Sequence, residues 1–339
     1  PTRGGLLSIV YFLRTCSDPI SLLFEPVSES SLQIFEKSRH EDLPAFKSQN
    51  EAVKWYLKGL KESGLCLMDN LKRHPNPLTQ LRLFNFFCIF HLVRYMALLE
   101  AFYCGENIRP VLLDFSGIAT SQSSVARASE MAYTQMHKSI NRFYAWSYAQ
   151  KLKEKGYGKE DLLQSETPVY DEKKKASVEF STLWNLAKER ASACATDDAA
   201  RLVFGETMYD MLALEASSHP VNCLKILGTS AGMLYPPDQM HPNKRFVLSQ
   251  DILEMVLRST VSPDEVLSGN DMRNRLWERF GIIIGGSTYE IEKLQSSGML
   301  LQIDEDSLER NFTSFAALLE SMDFAEVMAD GILQIRLGG

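Results

Sequence analysis

Leu78–Tyr103 reads LTQLRLFNFFCIFHLVRYMALLEAFY and is the most apolar stretch of a 339-residue chain. At about 1.5 Å of rise per residue, a helix this long would reach across the ~30 Å core of a bilayer. However, Arg82, Asn85, His91, Arg94 and Glu100 interrupt it, and a charge at mid-membrane depth costs about 2.5–3.5 kcal/mol on insertion scales. The stretch is therefore read as a central helix buried inside a helical bundle. It decides the fold class, because the segments on either side share its helical rhythm.

Upstream, Gln49–Arg73 places Val53, Leu57, Leu60 and Leu67 on one side, with Gly64 weakening the middle. Pro75 and Pro77 end that helix and open the next, and so short a link predicts an antiparallel pair. Downstream, Pro110–Gly117 is too isolated to imply a sheet and reads as a lone strand or extended linker. The run Thr120-Ser-Gln-Ser-Ser offers caps to a helix from about Val125 to Lys155. Gly156, Gly158, Pro168 and the Lys173–Lys175 triplet predict a mobile connection over 156–176. Helices follow at Ser177–Ala193, at Asp197–Ser217 and from His219-Pro220 to near Leu227.

Between Gly228 and Lys244 lie Gly232, Pro236, Pro237 and Pro242, which make 228–248 the expected Gly/Pro-rich linker. After it, Ser249 is expected to cap one helix, and Asn270/Asp271 to precede another that ends at Phe280-Gly281. Shorter and longer helices follow at Tyr289–Gln295 and Asp306–Met322. Finally, Phe324-Ala-Glu-Val-Met-Ala and Ile332-Leu-Gln-Ile-Arg-Leu flank Asp330-Gly331, the dipeptide of two-residue hairpin turns. Short helices closed by a hairpin have the layout of a winged helix. The expected architecture is thus mainly α: a multi-helix body over 1–227 and a small winged-helix-like α+β domain over 249–339.

The string Leu276-Trp-Glu-Arg-Phe-Gly-Ile-Ile-Ile-Gly-Gly, followed by Leu308–Leu319 and the Asp330-Gly331 tail, resembles the C-terminal pattern of accessory proteins encoded in prokaryotic anti-phage defence operons. The resemblance covers about the last quarter of the chain and includes no catalytic motif. It implies a helper subunit, with an ATPase or nuclease partner supplied by another chain.

Charge divides along the same boundary. The chain carries 36 Lys/Arg and 43 Asp/Glu, a net −7. Residues 249–339 hold 7 of the basic and 16 of the acidic side chains, a balance of −9 that leaves +2 for residues 1–248. An acidic domain repels phosphate, so sequence-independent nucleic-acid binding is not expected at the C-terminal end. Apolar residues make up 45% and charged residues 23%, which excludes a disordered or fibrous chain.

Six scattered cysteines without a C-x-x-C pair disfavour zinc ribbons, dithiol redox centres and a secreted disulfide scaffold. Leu6–Leu13 is a short apolar run preceded only by Arg3 and followed by no small-x-small cleavage site, so a cytoplasmic protein is expected.

No motif of catalysis passes its structural test. Gly228-Thr-Ser-Ala-Gly232 matches a nucleophile elbow, but Pro236-Pro237 leaves no room for the helix that must follow Ser230, and Asp238 and His241 share its loop. Cys88/His91 and His219/Cys223 have helical ligand spacing, yet two ligands do not close a metal site. Phosphate loops and H-E-x-x-H are absent from the sequence. No catalytic residue, cofactor or metal is expected.

One charged surface stands out. On the 125–155 helix, with Arg127 at zero, Lys138, Arg142 and Lys153 fall at about 20°, 60° and 80°, with Trp146 at the edge. Val125, Ala132, Met136 and Phe143 gather near 140–180°, the face expected to meet the core on the same ~100° per residue. The candidate nucleic-acid or acidic-partner surface is therefore Arg127, Lys138, Arg142, Trp146 and Lys153. The 306–322 helix offers Glu309, Arg310 and Glu320, too acidic for a DNA-reading helix and better suited to a protein partner.

The expected function is a non-catalytic adaptor or scaffold subunit of a multiprotein complex, without a membrane span. The alternatives are a nucleic-acid-binding module on the basic helix face and a hydrolase assembled from distant residues.

Overall fold

The computed structural model describes residues 50–105, 107–117, 123–168, 178–215, 220–239, 241–297, 305–329 and 331–337. These residues form twelve helices and seven short strands, and the protein is mainly α.

Helices α1 (Glu51–Arg73) and α2 (Pro77–Ala97) begin on asparagine caps. The Oδ1 of Asn50 accepts from Ala52 N at 2.8 Å, and that of Asn76 from Leu78 N at 2.9 Å. Pro77 stands at the start of α2, where its missing N–H is no loss. The hydroxyl of Tyr56 donates to His91 O at 3.0 Å, far from the 73–77 link, so the two helices run antiparallel as expected. The long apolar helix is not continuous, however. It breaks at Leu98 into α2 and a short α3 (Leu99–Cys104).

Helix α4 (Ser124–Glu154) is the spine, capped by Ser123, whose Oγ accepts from Ala126 N at 3.0 Å. Its first half buries Val125, Ala128, Ala132, Met136 and Ile140 in the main core. Its second half covers a smaller core of Leu162, Phe180, Trp184, Phe204 and Met211, with Leu152 packed against it. That core belongs to α5 (Lys159–Gln164), α6 (Val178–Ser192) and α7 (Asp197–Glu215). A Cβ on Gly205 would stand 2.2 Å from the carbonyl oxygen of Ala145, so only glycine allows α7 to cross α4 this closely. Helix α5 occupies part of the stretch expected to be a mobile connection. Residues 169–177, with Lys173–Lys175, lie outside the described residues.

The segment expected as a linker contains the end of α8 (Pro220–Ser230) and an antiparallel pair, β2 (Leu234–Tyr235) with β3 (Arg245–Phe246). Its Met233, Leu234, Phe246 and Leu248 are buried in the same core as α1 and α2. The ammonium of Lys244 is enclosed by the carbonyls of Pro236 and Asp238, which fastens the proline-rich loop on itself.

Strand β1 (Val111–Leu112) is not isolated. It pairs in parallel with β5 (Ile282–Ile283), and Leu113 bridges to Phe246. Inside this junction Asp114 and Arg245, both almost fully buried, lie 3.3 Å apart.

The last part of the chain runs α9 (Gln250–Arg258), β4 (Val266–Ser268), α10 (Gly269–Phe280), β5, α11 (Thr288–Ser296), α12 (Glu305–Ser321), β6 (Ala325–Val327) and β7 (Leu333–Arg336). Ser249 caps α9 as expected, while Ser268 caps α10 two residues ahead of the expected Asn270/Asp271. Strands β4, β7 and β6 form an antiparallel sheet with β7 in the centre.

The hairpin is present, but its turn differs from the expected two-residue type. Met328 N donates to Ile332 O at 2.9 Å and Gly331 N to Met328 O at 2.8 Å, with Gly331 at φ 79°. This is the longer loop, with a left-handed glycine at its end. Both turn types call for glycine there, so the dipeptide alone does not separate them. Asp330 lies outside the described residues.

Candidate functional site

Arg127, Lys138, Arg142 and Lys153 all reach the surface of α4. Two of them are already engaged. The Nη1 of Arg142 lies 2.8 Å from Oε1 of Glu100, whose side chain is 4% exposed, and Arg109 approaches the other oxygen at 3.5 Å. Nζ of Lys153 lies 3.4 Å from Oδ1 of Asp198. Hydrogen bonding to Lys153, with Arg201 assisting, holds the Asp198 carboxyl below its ordinary range.

Arg127 and Lys138 have no ion pair among the described residues. They stand about 16 Å apart along the helix at ~1.5 Å per residue. Trp146 is half-buried, with its ring 5.9 Å from Tyr103 and 6.3 Å from Phe143, so one face of its indole is covered by neighbouring aromatics.

Sequence reading missed the Glu100 cluster, yet the signal was there. A lone carboxylate inside the most apolar helix needs a cation, because a buried unpaired charge is costly. Arg142→Glu sets a second carboxylate beside Glu100 and is expected to cost about 2 kcal/mol, less than a fully buried pair because Arg109 remains. Lys138→Glu is expected to stay within about 0.5 kcal/mol of the wild type. Urea melts of the two variants check this contrast, and equal losses would contradict it.

On α12, Glu309 is exposed, while Arg310 folds back on its own helix, with Nε on Asp306 O at 3.2 Å and Nη2 on Ser307 Oγ at 3.1 Å. Glu320 accepts from Val327 N at 3.1 Å and so ties the helix to the hairpin. Beside it, Val327, Met328 and Ile332 leave between 39% and 49% of their surfaces exposed. Glu320 thus sits where α12 meets the exposed apolar side chains of the hairpin.

The suspected elbow at Ser230 has a different use. Gly232 N donates to Thr229 O and Met233 N to Gly228 O, with Gly232 at φ 76°, which is a Schellman stop for α8. A strand-to-helix turn is therefore excluded. Nδ1 of His241 meets Asn243 O at 2.7 Å, and Ser230 receives a bond from Gln239 at 3.3 Å, so the triad geometry is not formed.

Among the described residues no group of three or more His, Cys, Asp or Glu could hold a metal ion. His91 is buried against Phe87, Phe90 and Phe280. Burial pushes the nearby Cys88 thiol up to about 11. His219 and the side chain of Cys223 lie outside the described residues.

One anion cradle does exist, and the protein fills it. Strand β5, Gly285-Gly286 and α11 form a strand–glycine loop–helix unit whose amides converge. Oε1 of Glu290 accepts from Ile284 N at 2.9 Å and Gly285 N at 3.1 Å, and Oε2 from Ser287 Oγ at 2.9 Å. The Ser287-x-x-Glu290 capping box was its sequence signal.

No family model matches the chain, and neither a curated protein nor a solved structure matches it. Among the described residues no helix is long and apolar enough to cross a membrane.

Proposed function

We propose that this chain is a non-catalytic adaptor subunit of a multiprotein complex, and that its C-terminal winged-helix-like unit docks a protein partner. The observation that carries this is the junction of α12 with the β6–β7 hairpin, where exposed Glu320 accepts from Val327 N and Val327, Met328 and Ile332 are exposed. Carboxylates with adjoining apolar side chains suit a basic, partly apolar protein surface, and they repel a phosphate backbone.

The winged-helix assignment rests on element order. A helix, a strand, further helices and a hairpin follow one another, and the first strand joins the sheet beside the last, giving β4-β7-β6. The resemblance to defence-operon accessory proteins makes a cytoplasmic anti-phage assembly the setting, with an ATPase or nuclease as the partner chain. Size exclusion coupled to mass measurement, on protein expressed at native level in its host, is expected to find a protein-only particle heavier than one chain. Recovery as a lone monomer contradicts the proposal.

A second reading, nucleic-acid binding on α4, is favoured by the uncommitted Arg127 and Lys138. Its clean test is Arg127→Glu/Lys138→Glu, because changing Arg142 also disturbs Glu100. For an adaptor, DNA affinity across a salt series should be weak and alike for wild type and variant. A variant that loses tight, salt-sensitive binding would establish the second reading instead.

A further inference from the structure

Strand β6 is an outer edge of the β4-β7-β6 sheet, and two bonds settle which side of it faces inward. Arg336 N donates to Phe324 O and Met328 N to Ile332 O, both at 2.9 Å. Backbone groups alternate sides along an antiparallel strand, so Ala325 and Val327 turn their N–H and C=O groups away from β7. Among the described residues one of these four groups has a protein partner: Val327 N donates to Oε1 of Glu320 at 3.1 Å. A glutamate from α12 thus plugs a strand edge that is otherwise open. Open edges invite pairing with another chain, and charged side chains are a common guard against it.

The side chains show that the sheet stops short at this edge. Directly paired residues share a face, which puts Val327 beside Leu333 and Ala325 beside Ile335. Leu333 and Ile335 are 6% and 0% exposed, and Leu267, paired with Ile335 from the other side, is 4% exposed. Val327, on the same face, keeps 45% of its surface. The core-facing side of the sheet therefore runs past its own cover at β6, where one more strand would shield Val327. Exposed Glu320, Asp323 and Glu326 lie in or beside β6, with Arg336 approaching Glu326 at 3.7 Å. Acid beside an uncovered apolar residue complements an extended segment that carries cations.

We propose that the partner docks by strand addition: an extended, basic and apolar segment of it pairs with the outer edge of β6 and displaces Glu320 from Val327 N. The backbone of Ala325 and Val327 supplies the hydrogen bonds, Val327 gains an apolar neighbour, and the released carboxylate meets a cation of the segment. This rests on the adaptor reading for its partner and goes further in fixing how that partner is held.

The test needs no native partner. A fluorescent hexapeptide of alternating lysine and valine is titrated against the full chain, wild type and Val327→Pro, with its fully N-methylated counterpart as the control. Proline removes the outward N–H without breaking a ladder bond to β7, a change that edge strands tolerate. The wild type is expected to bind the plain peptide at least about tenfold more tightly than the variant does, and at least about tenfold more tightly than it binds the methylated form. No binding by the wild type, or equal binding in either comparison, overturns strand addition. Should Val327→Pro fail to fold, the methylated peptide decides on the wild type alone. Purified wild type at twice the mass of one chain, reverting to one chain in Val327→Pro, would assign the edge to a second copy and likewise overturn the proposal. A host particle without peptide binding refutes strand addition and leaves the adaptor reading standing, whereas peptide binding by a chain that is monomeric in its host does the reverse.

Discussion

Asn311→Leu is expected to destabilise the protein by about 4 kcal/mol, because it strands three buried backbone groups at once. The Asn311 amide is fully buried on α12. Its Nδ2 donates to Leu113 O at 2.8 Å and Ile284 O at 2.7 Å, and its Oδ1 accepts from Phe115 N at 2.7 Å. One side chain thus ties α12 to the ends of β1 and β5. For a protein of this size the loss corresponds to a Tm fall of about 6 °C. A fall below about 2 °C would mean that α12 is held elsewhere.

The second large effect is acid lability set by His91. The hydroxyl of Ser63 donates to Gly59 O at 2.6 Å, so the Nε2–H of His91 donates to Ser63 Oγ at 3.3 Å and Nδ1 is left unprotonated among aromatic rings. Burial first, and then the charge of Arg94, lower its pKa to about 3. The unfolded imidazole protonates near 6.5, so between about 6.5 and 3 the unfolded chain binds the extra proton and stability falls as pH falls. The contribution is fully present above that window and lost across it, on the order of 3–5 kcal/mol in all.

Glu265, held at about 2 by hydrogen bonds from Arg275, titrates below the upper part of this range. Denaturant-derived stabilities between pH 7.5 and 4.5 should therefore slope less in His91→Phe than in the wild type. Parallel slopes would show that His91 is not the titrating group.

Much of the helical frame was legible because local signals agreed with tertiary ones. Serine before α9 and glycine after α10 mark boundaries within a residue or two. What was not legible depends on distant partners. The strand at Val111–Leu112 has only two residues and acquires its meaning from Ile282–Ile283, which no periodicity connects to it. The break at Leu98 likewise lacks proline or glycine. The Gly/Pro content of 228–248 reads as a linker in one dimension, whereas in space Gly232 ends α8 and Phe246 enters the core.

For the candidate surface, helical angle correctly placed four cations on one outer face of α4. It did not reveal that Glu100 and Asp198, from other helices, face two of them. Arg94 reads in the sequence only as a charge that excludes a membrane span, and its burial is visible only in three dimensions.

The most direct test of the docking face is the particle mass of Val327→Asp/Ile332→Asp beside that of the wild type, both isolated from the host. These side chains are already exposed, so the double variant is expected to keep its Tm within about 2 °C. The account predicts that the wild type elutes in a heavier protein-only particle and that the variant elutes at the mass of one chain. An unchanged particle in the variant would contradict it.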